Sequence, residues 1–141
     1  MITLHILKLL ENNGFGTIDT DLFFETVPLD AKGIPKQGVW IVTRGTSINR
    51  VDIGSQNFDI YSRYTNKTTG HAMLENILSF LQDSFGNVCE LPTVPPISYN
   101  EYYDVMIVPT SGVENVGTDD QNKVVRVISG NVKYKKKENN K

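Results

Sequence analysis

Between His71 and Phe85 the apolar residues Met73, Leu74, Ile77, Leu78, Leu81 and Phe85 recur at spacings of three, four and seven, while Glu75, Asn76, Ser79, Gln82 and Asp83 fall opposite them. That pattern predicts an amphipathic helix, and a helix of this length holds in water only when something covers its apolar stripe. The covering surface is encoded just upstream. Val39-Trp40-Ile41-Val42 is a run of β-branched and aromatic residues directly after Gly38, and Phe58 to Tyr64 alternates apolar and polar with period two, so both read as strands of one sheet. Gly45 and Gly54 read as turn residues rather than strand interiors, which makes the pair a hairpin with a long tip. Thr68 or Thr69 is placed to cap the helix start, and Gly86 to end it.

The flanking segments complete an α+β chain. Leu4, Ile6, Leu7, Leu9 and Leu10 follow Thr3 and stop at Asn12-Asn13-Gly14, which predicts a first helix with a glycine C-cap. Leu22 to Val27 reads as a short extended segment ended by Pro28, and Asp30 to Gln37, with Gly33 and Pro35, as a loop. Val88 to Leu91 reads as a brief strand stopped by Pro92, after which Pro95 and Pro96 stiffen the connector. Tyr103 to Val108 is a strand ended by Pro109 and Gly112. Val124 to Ile128 and Val132 to Tyr134 form the last one, with a bulge at Gly130. The expected fold is a mixed, mainly antiparallel sheet with two helices packed on it, in the order α-β-β-α-β-β. Residues 1–134 form the single domain and residues 135–141 a lysine-rich flexible tail.

A chain of 141 residues buries one core and not two. Its net charge of -2 and pI near 5.6 lack the basic excess of a dedicated nucleic-acid or membrane surface. The local exception runs from Lys133 to Lys141, with five lysines against one glutamate. This run is either a solvated chain end or an arm for an acidic partner or DNA phosphate, and the residues alone leave both open. Cys89 is the only cysteine, so no intrachain disulfide forms and a metal site of paired thiolates is excluded. A reducing compartment follows as the expectation. No charged leader precedes a long apolar run, and no segment approaches the ~18 apolar residues of a membrane span, so the chain is expected to be soluble and without a membrane partner.

Chemistry-bearing constellations are sparse. His5 and His71 sit at the starts of two separate helices with no partner at metal-ligand spacing. Asp119-Asp120 and the Asp19/Asp21 pair stand beside Gly and Asn and read as turn residues. Gly14 and Gly16 are followed by Thr17-Ile18 with no lysine, so they make no phosphate loop. Ser111 and Cys89 lack a nucleophile elbow or a base. Tyr61, Tyr64, Tyr99, Tyr102 and Tyr103 lack the interleaved basic residues of a base-stacking platform and suit a core face plus a protein interface. The residues thus assign no catalytic group, cofactor or metal, and leave partner binding or assembly as the role to expect.

The order of elements resembles that of the tail terminator proteins of long-tailed phages, often labelled minor capsid proteins. The likeness lies in a leading helix, the loop with Pro28 and Pro35, the Val39 to Val42 strand, and a Phe58 to Tyr64 strand feeding the Ala72 to Phe85 helix. It extends to the close, where Pro109 is followed by Val116-Gly117-Thr118-Asp119-Asp120-Gln121-Asn122 and a strand ending at Tyr134. The resemblance implies a non-enzymatic virion protein of the tail neck, assembled in the host cytoplasm. It would form a homohexameric ring that caps the tail tube, touches the tube protein and a head-completion or connector protein, and lets DNA pass without sequence-specific binding. The inter-subunit contacts would then fall on the tip from Gly45 to Gln56 and the turn from Ser111 to Asn122, with Ile48, Arg50, Val51, Ile53, Glu114, Val116, Asp119 and Asp120 as interface residues. Two alternatives stand beside it: another neck component such as an adaptor, and a small enzyme or ligand-binding domain built around His71 and Asp59.

Overall fold

The computed structural model describes residues 2–49, 54–83, 90–95 and 102–136, with the backbone alone at 46–49. Its elements are α1 (Ile2–Asn12), β1 (Leu22–Phe24), β2 (Gly38–Asn49), β3 (Gly54–Tyr64), α2 (Lys67–Asp83), β4 (Tyr102–Pro109), β5 (Glu114–Thr118) and β6 (Val124–Lys136). The sheet runs β1-β2-β3-β6-β4, and β5 also pairs with β6. Among the described strand pairs only β1–β2 is parallel. The α+β class and the mainly antiparallel sheet are as the sequence predicts, but the order is α-β-β-β-α-β-β-β.

Both additional strands are ones that the hydrophobic pattern hides. β1 is the first half of the extended Leu22 to Val27 segment, three residues docked in parallel beside Val39, Trp40 and Ile41. β5 falls within the stretch read as a turn. All five of its residues are exposed, so no apolar alternation marks it, and the ladder to Val124–Val127 alone makes it a strand. β4 and β5 follow one another along the same edge of β6. Between them Thr110 N–H donates to the Ser129 carbonyl at 2.9 Å, and Ser129 N–H donates to Ser111 Oγ at 3.0 Å.

The hairpin is present but longer than expected, because the strands run through both glycines read as turns. Gly45, at φ 72°, sits in a bulge where the register shifts between the pairs Arg44↔Asn57 and Ile48↔Ser55. Gly54 opens β3 against the Tyr134 ring. Nor is β6 broken at Gly130, which pairs with Phe58 inside an unshifted ladder. A Cβ there would come within 2.6 Å of Phe58 Cζ, so the glycine makes room for a core ring and marks no bulge. Beside β6 the bulges lie in its partners, in β4 between Tyr103 and Met106 and in β5 between Asn115 and Gly117. β6 also continues two residues past Tyr134, so Lys135 and Lys136 belong to the sheet rather than to a tail, paired with Tyr103 and Tyr102. Residues 137–141 lie outside the described residues, as do Val88, Cys89, Tyr99 and the expected Gly86 helix stop. Glu90 and Leu91 are not in a strand.

Both helices cover one face. α1 ends as its sequence predicts: Gly14 takes φ 83°, its N–H donates to the Glu11 carbonyl, and Phe15 N–H reaches back to the Leu10 carbonyl. The Phe15 ring then meets Phe80 of α2 at 5.4 Å, tying the two helices together. The cap of α2 is Asn66, not Thr68 or Thr69: Asn66 Oδ1 accepts from Thr68 N–H at 2.9 Å and from the Thr68 hydroxyl at 2.8 Å. Leu74, Ile77 and Leu81 are fully buried with Ile6, Leu7 and Leu10 over Ile41, Phe58, Ile60, Ile128 and Ile107. Met73 and Leu78 flank that stripe half-buried, and Glu75, Asn76, Ser79, Gln82 and Asp83 face outward.

Leu74→Ala or Leu81→Ala is expected to lower unfolding free energy by about 2–5 kcal/mol, against less than ~0.5 kcal/mol for Gln82→Ala. Gly130→Ala is expected to destabilise by roughly 1–3 kcal/mol through its clash with Phe58. A denaturant titration in which the three positions behave alike would show that the buried face of α2 is elsewhere.

Candidate functional site

Period-two alternation sends one side of each strand to the helices and the other to an uncovered face. On that open face the Trp40 ring from β2 stacks on Tyr61 from β3 at 5.1 Å and 12°. They are cross-strand partners in the ladder, which is why two large rings meet flat there. Thr26, Val27 and Pro35 rise from the connection between β1 and β2 and, with Val125 of β6, line an open depression of about 440 Å³ beside the stack.

Arg63 lines the pocket and is 4% exposed, and two of its guanidinium nitrogens are paired. Nε donates to Asp119 Oδ2 at 2.6 Å, and Nη1 donates to the Pro35 carbonyl at 2.6 Å. Asp119 is itself organised by the turn between β5 and β6, where its Oδ1 accepts from Gln121 N–H at 2.9 Å and Lys123 N–H at 3.0 Å. Burial pushes the Asp119 carboxyl up, but those two amides and the Arg63 guanidinium outweigh it and hold the group below the ordinary carboxylate range. One ion pair thus joins β3, the Pro35 loop and the β5–β6 turn.

Farther along the same face the groups are polar. Asp59 Oδ1 accepts from Arg44 Nε at 3.0 Å and from the Ser129 hydroxyl at 2.6 Å, and Asn131 Nδ2 donates to Ser55 Oγ and Asn57 Oδ1, both at 2.9 Å. Burial, then the Asp59 charge, push Tyr61 up in pKa against the opposing pull of Arg44. His71 is not part of this network. It bonds Glu75 one turn along α2 at 2.8 Å, so the structure does not join His71 and Asp59 into one site. His5 is 4% exposed, donates from Nδ1 to the Pro92 carbonyl at 2.9 Å and packs edge-on against Tyr102 at 5.0 Å. Asp19 and Asp21 are turn residues, as read: Asp19 takes φ 72°, and Asp21 Oδ1 accepts from Thr17 N–H.

The interface residues expected from sequence separate into two groups. Glu114 and Val116 lie exposed on β5, with Val116 the extra residue of its bulge and 57% exposed. Asp120 is exposed on the following turn, while Asp119 turns inward to Arg63. Ile48 lies at the far end of β2, paired with Ser55, and Arg50, Val51 and Ile53 lie outside the described residues. Ile48 pairs with Ser55 and Ser55 with Lys133, whereas Thr118 pairs with Val124 and Val124 with Tyr64, so Ile48 and the β5 residues lie toward opposite ends of the β3–β6 ladder. Its ten residue steps span roughly 34 Å.

Reasoning from sequence passed over Trp40, Arg63 and Val125. The signal was the alternation itself, because Tyr61 and Arg63 share the face opposite Phe58 and Ile60. The tyrosines do not form one platform: Tyr61 is on the open face, Tyr102 is in the core and Tyr103 is exposed. Among the described residues no three His, Cys, Asp or Glu side chains gather as metal ligands would, and no helix is long and apolar enough to cross a membrane. No protein-family model matches this chain, and no curated protein matches it.

Asp119→Ala leaves a buried guanidinium without its counter-charge and is expected to destabilise by about 3 kcal/mol. Because the folded pKa of Asp119 is depressed, its contribution is complete above the unfolded value of about 3.9 and is lost as pH falls through the folded one. Urea titrations at neutral and acid pH are expected to show a smaller acid loss in Asp119→Asn than in the wild type. Parallel pH profiles would remove this residue from the acid response.

Proposed function

We propose that this protein is the tail terminator of a long-tailed bacteriophage, a structural, non-enzymatic subunit whose homohexameric ring caps the tail tube and presents a surface to the head-completion or connector proteins. The observation that carries the reading is the separation of Ile48 from Glu114 and Val116 along the length of the sheet. A subunit with distinct surfaces at opposite ends is suited to head-to-tail contact with its copies, and such heterologous contacts close into a ring when the rotation per subunit fits. A tube of identical rings has no intrinsic end, so a stop requires a ring whose two faces differ. One side of this sheet is covered by helices and the other is open, which supports such a difference. The resemblance in element order supports the same role. On this reading the ring belongs to the neck of the virion, assembles in the host cytoplasm, and lets DNA pass without reading its sequence.

The nearest competing role is an adaptor or head-completion ring, which shares the closure logic and differs in its neighbours. Deletion of the gene in the phage is expected to leave DNA-filled capsids without tails, together with tubes that overgrow their normal length, both visible by negative-stain electron microscopy. Unjoined tubes of normal length would select the head-completion role instead. Normal tails joined to heads would refute both.

A further inference from the structure

Among the described residues, two buried side-chain polar atoms find no hydrogen-bond partner in the protein, Ser62 Oγ and Arg126 Nε. They belong to one place. Ser62 and Arg126 are directly paired in the β3–β6 ladder, so their side chains leave the sheet side by side, on the helix-covered face that Phe58 and Ile60 share with Ser62 at period two. Both lie beneath the first turn of α2. A Cβ on Gly70 would come within 2.7 Å of Ser62 Oγ, and Arg126 Nη2 reaches the Lys67 carbonyl at 3.5 Å, a long and weak contact. Lys67 and Gly70 are three positions apart and so share one face of the helix.

The charge at this spot is one-sided. A helix carries the positive pole of its dipole at the N-terminal end, and the first turn of α2 holds Lys67 and no acidic residue. Arg126 brings a guanidinium to that same end and, among the described residues, pairs with no carboxylate. Its Nε and Nη2 form the edge of the guanidinium that takes an anion side-on, and this is the edge turned toward α2. A water molecule would meet the hydrogen-bonding needs of both atoms and leave the charge uncompensated, whereas an anion meets both. Since Nε and Oγ are sealed from solvent and Gly70 sits against the hydroxyl, the ion has to be small.

We propose that the protein binds a small anion of halide size between the β3–β6 ladder and the first turn of α2, with Arg126 Nε and the Ser62 hydroxyl as its donors. The ion neutralises Arg126 and fastens the start of α2 to the two central strands. It also accounts for a break in the core pattern. Phe58 and Ile60 on β3 and Ile128 on β6 are apolar under the helices, and the next same-face positions toward the Tyr64↔Val124 end are a serine and an arginine placed side by side. The site stands independently of the ring reading, because every group in it belongs to one chain.

Thermal unfolding of the full-length protein, followed at constant ionic strength while chloride replaces gluconate, tests the site, because gluconate is too large to enter it. The midpoint is expected to rise and then saturate, standing about 4 °C higher at roughly ten times the Kd of chloride. Arg126→Met is expected to abolish that response and Ser62→Ala to weaken it. A wild-type midpoint indifferent to chloride would overturn the proposal, as would a response that never saturates and is equal in Arg126→Met. Crystals soaked in bromide give a second measurement that needs no variant to fold. An anomalous-difference peak is expected in contact with both Arg126 Nε and Ser62 Oγ. Water in that position, with bromide only elsewhere on the surface, would overturn the site.

Discussion

Eleven consecutive residues of β3 pair with β6 without a register shift, from Gly54↔Tyr134 to Tyr64↔Val124, and the rest of the molecule takes its position from that ladder. Its register places Phe58, Ile60, Ile128 and Val132 under the helices and Asp59, Tyr61, Arg63, Val125 and Ser129 on the opposite face. A slip of one residue would exchange the two sets, putting a carboxylate and a guanidinium in the core and core aliphatics in water. Gly130 belongs to the same constraint, since only a residue without a Cβ lets the Phe58 ring lie across β6.

With all helical cover on one side, the open face has to satisfy its own polar groups. It does so in two zones. Toward the hairpin tip, Arg44, Asp59, Ser129, Asn131, Ser55 and Asn57 bond one another across three strands. Toward the other end the surface becomes aromatic and aliphatic, and the one buried charge there, Arg63, is neutralised by a carboxylate that the β5–β6 turn holds in place. The pocket is therefore lined mainly by aromatic and aliphatic side chains, with a paired charge among them.

The sheet edges are managed differently. β1 is only three residues long, and past its end Glu25, at φ 68°, accepts the Thr43 N–H with its carboxylate, so a side chain continues what the strand leaves off. β5 lines the other edge with every residue exposed and a bulge that turns Val116 outward. Bulged and shortened edges discourage indiscriminate strand addition.

The sequence by itself determined the elements whose periodicity is dictated by burial. The α2 stripe, the α1 stripe with its Gly14 cap, the central hairpin and the strands around Val105 and Ile128 all carry a pattern that water and a core impose locally. It did not reveal β5, because an edge strand exposed on every residue has no apolar period to read. Nor did it reveal the roles of Gly54 and Gly130, since an isolated glycine signals a turn until the ring that needs its space is known. Asp119 was legible as a turn residue and as a candidate contact, but not as the partner of Arg63, 56 positions earlier in the chain. That pairing, and with it the pocket, was decided only by tertiary structure, because it depends on β6 lying between β3 and β5, and no local pattern records which strands become neighbours.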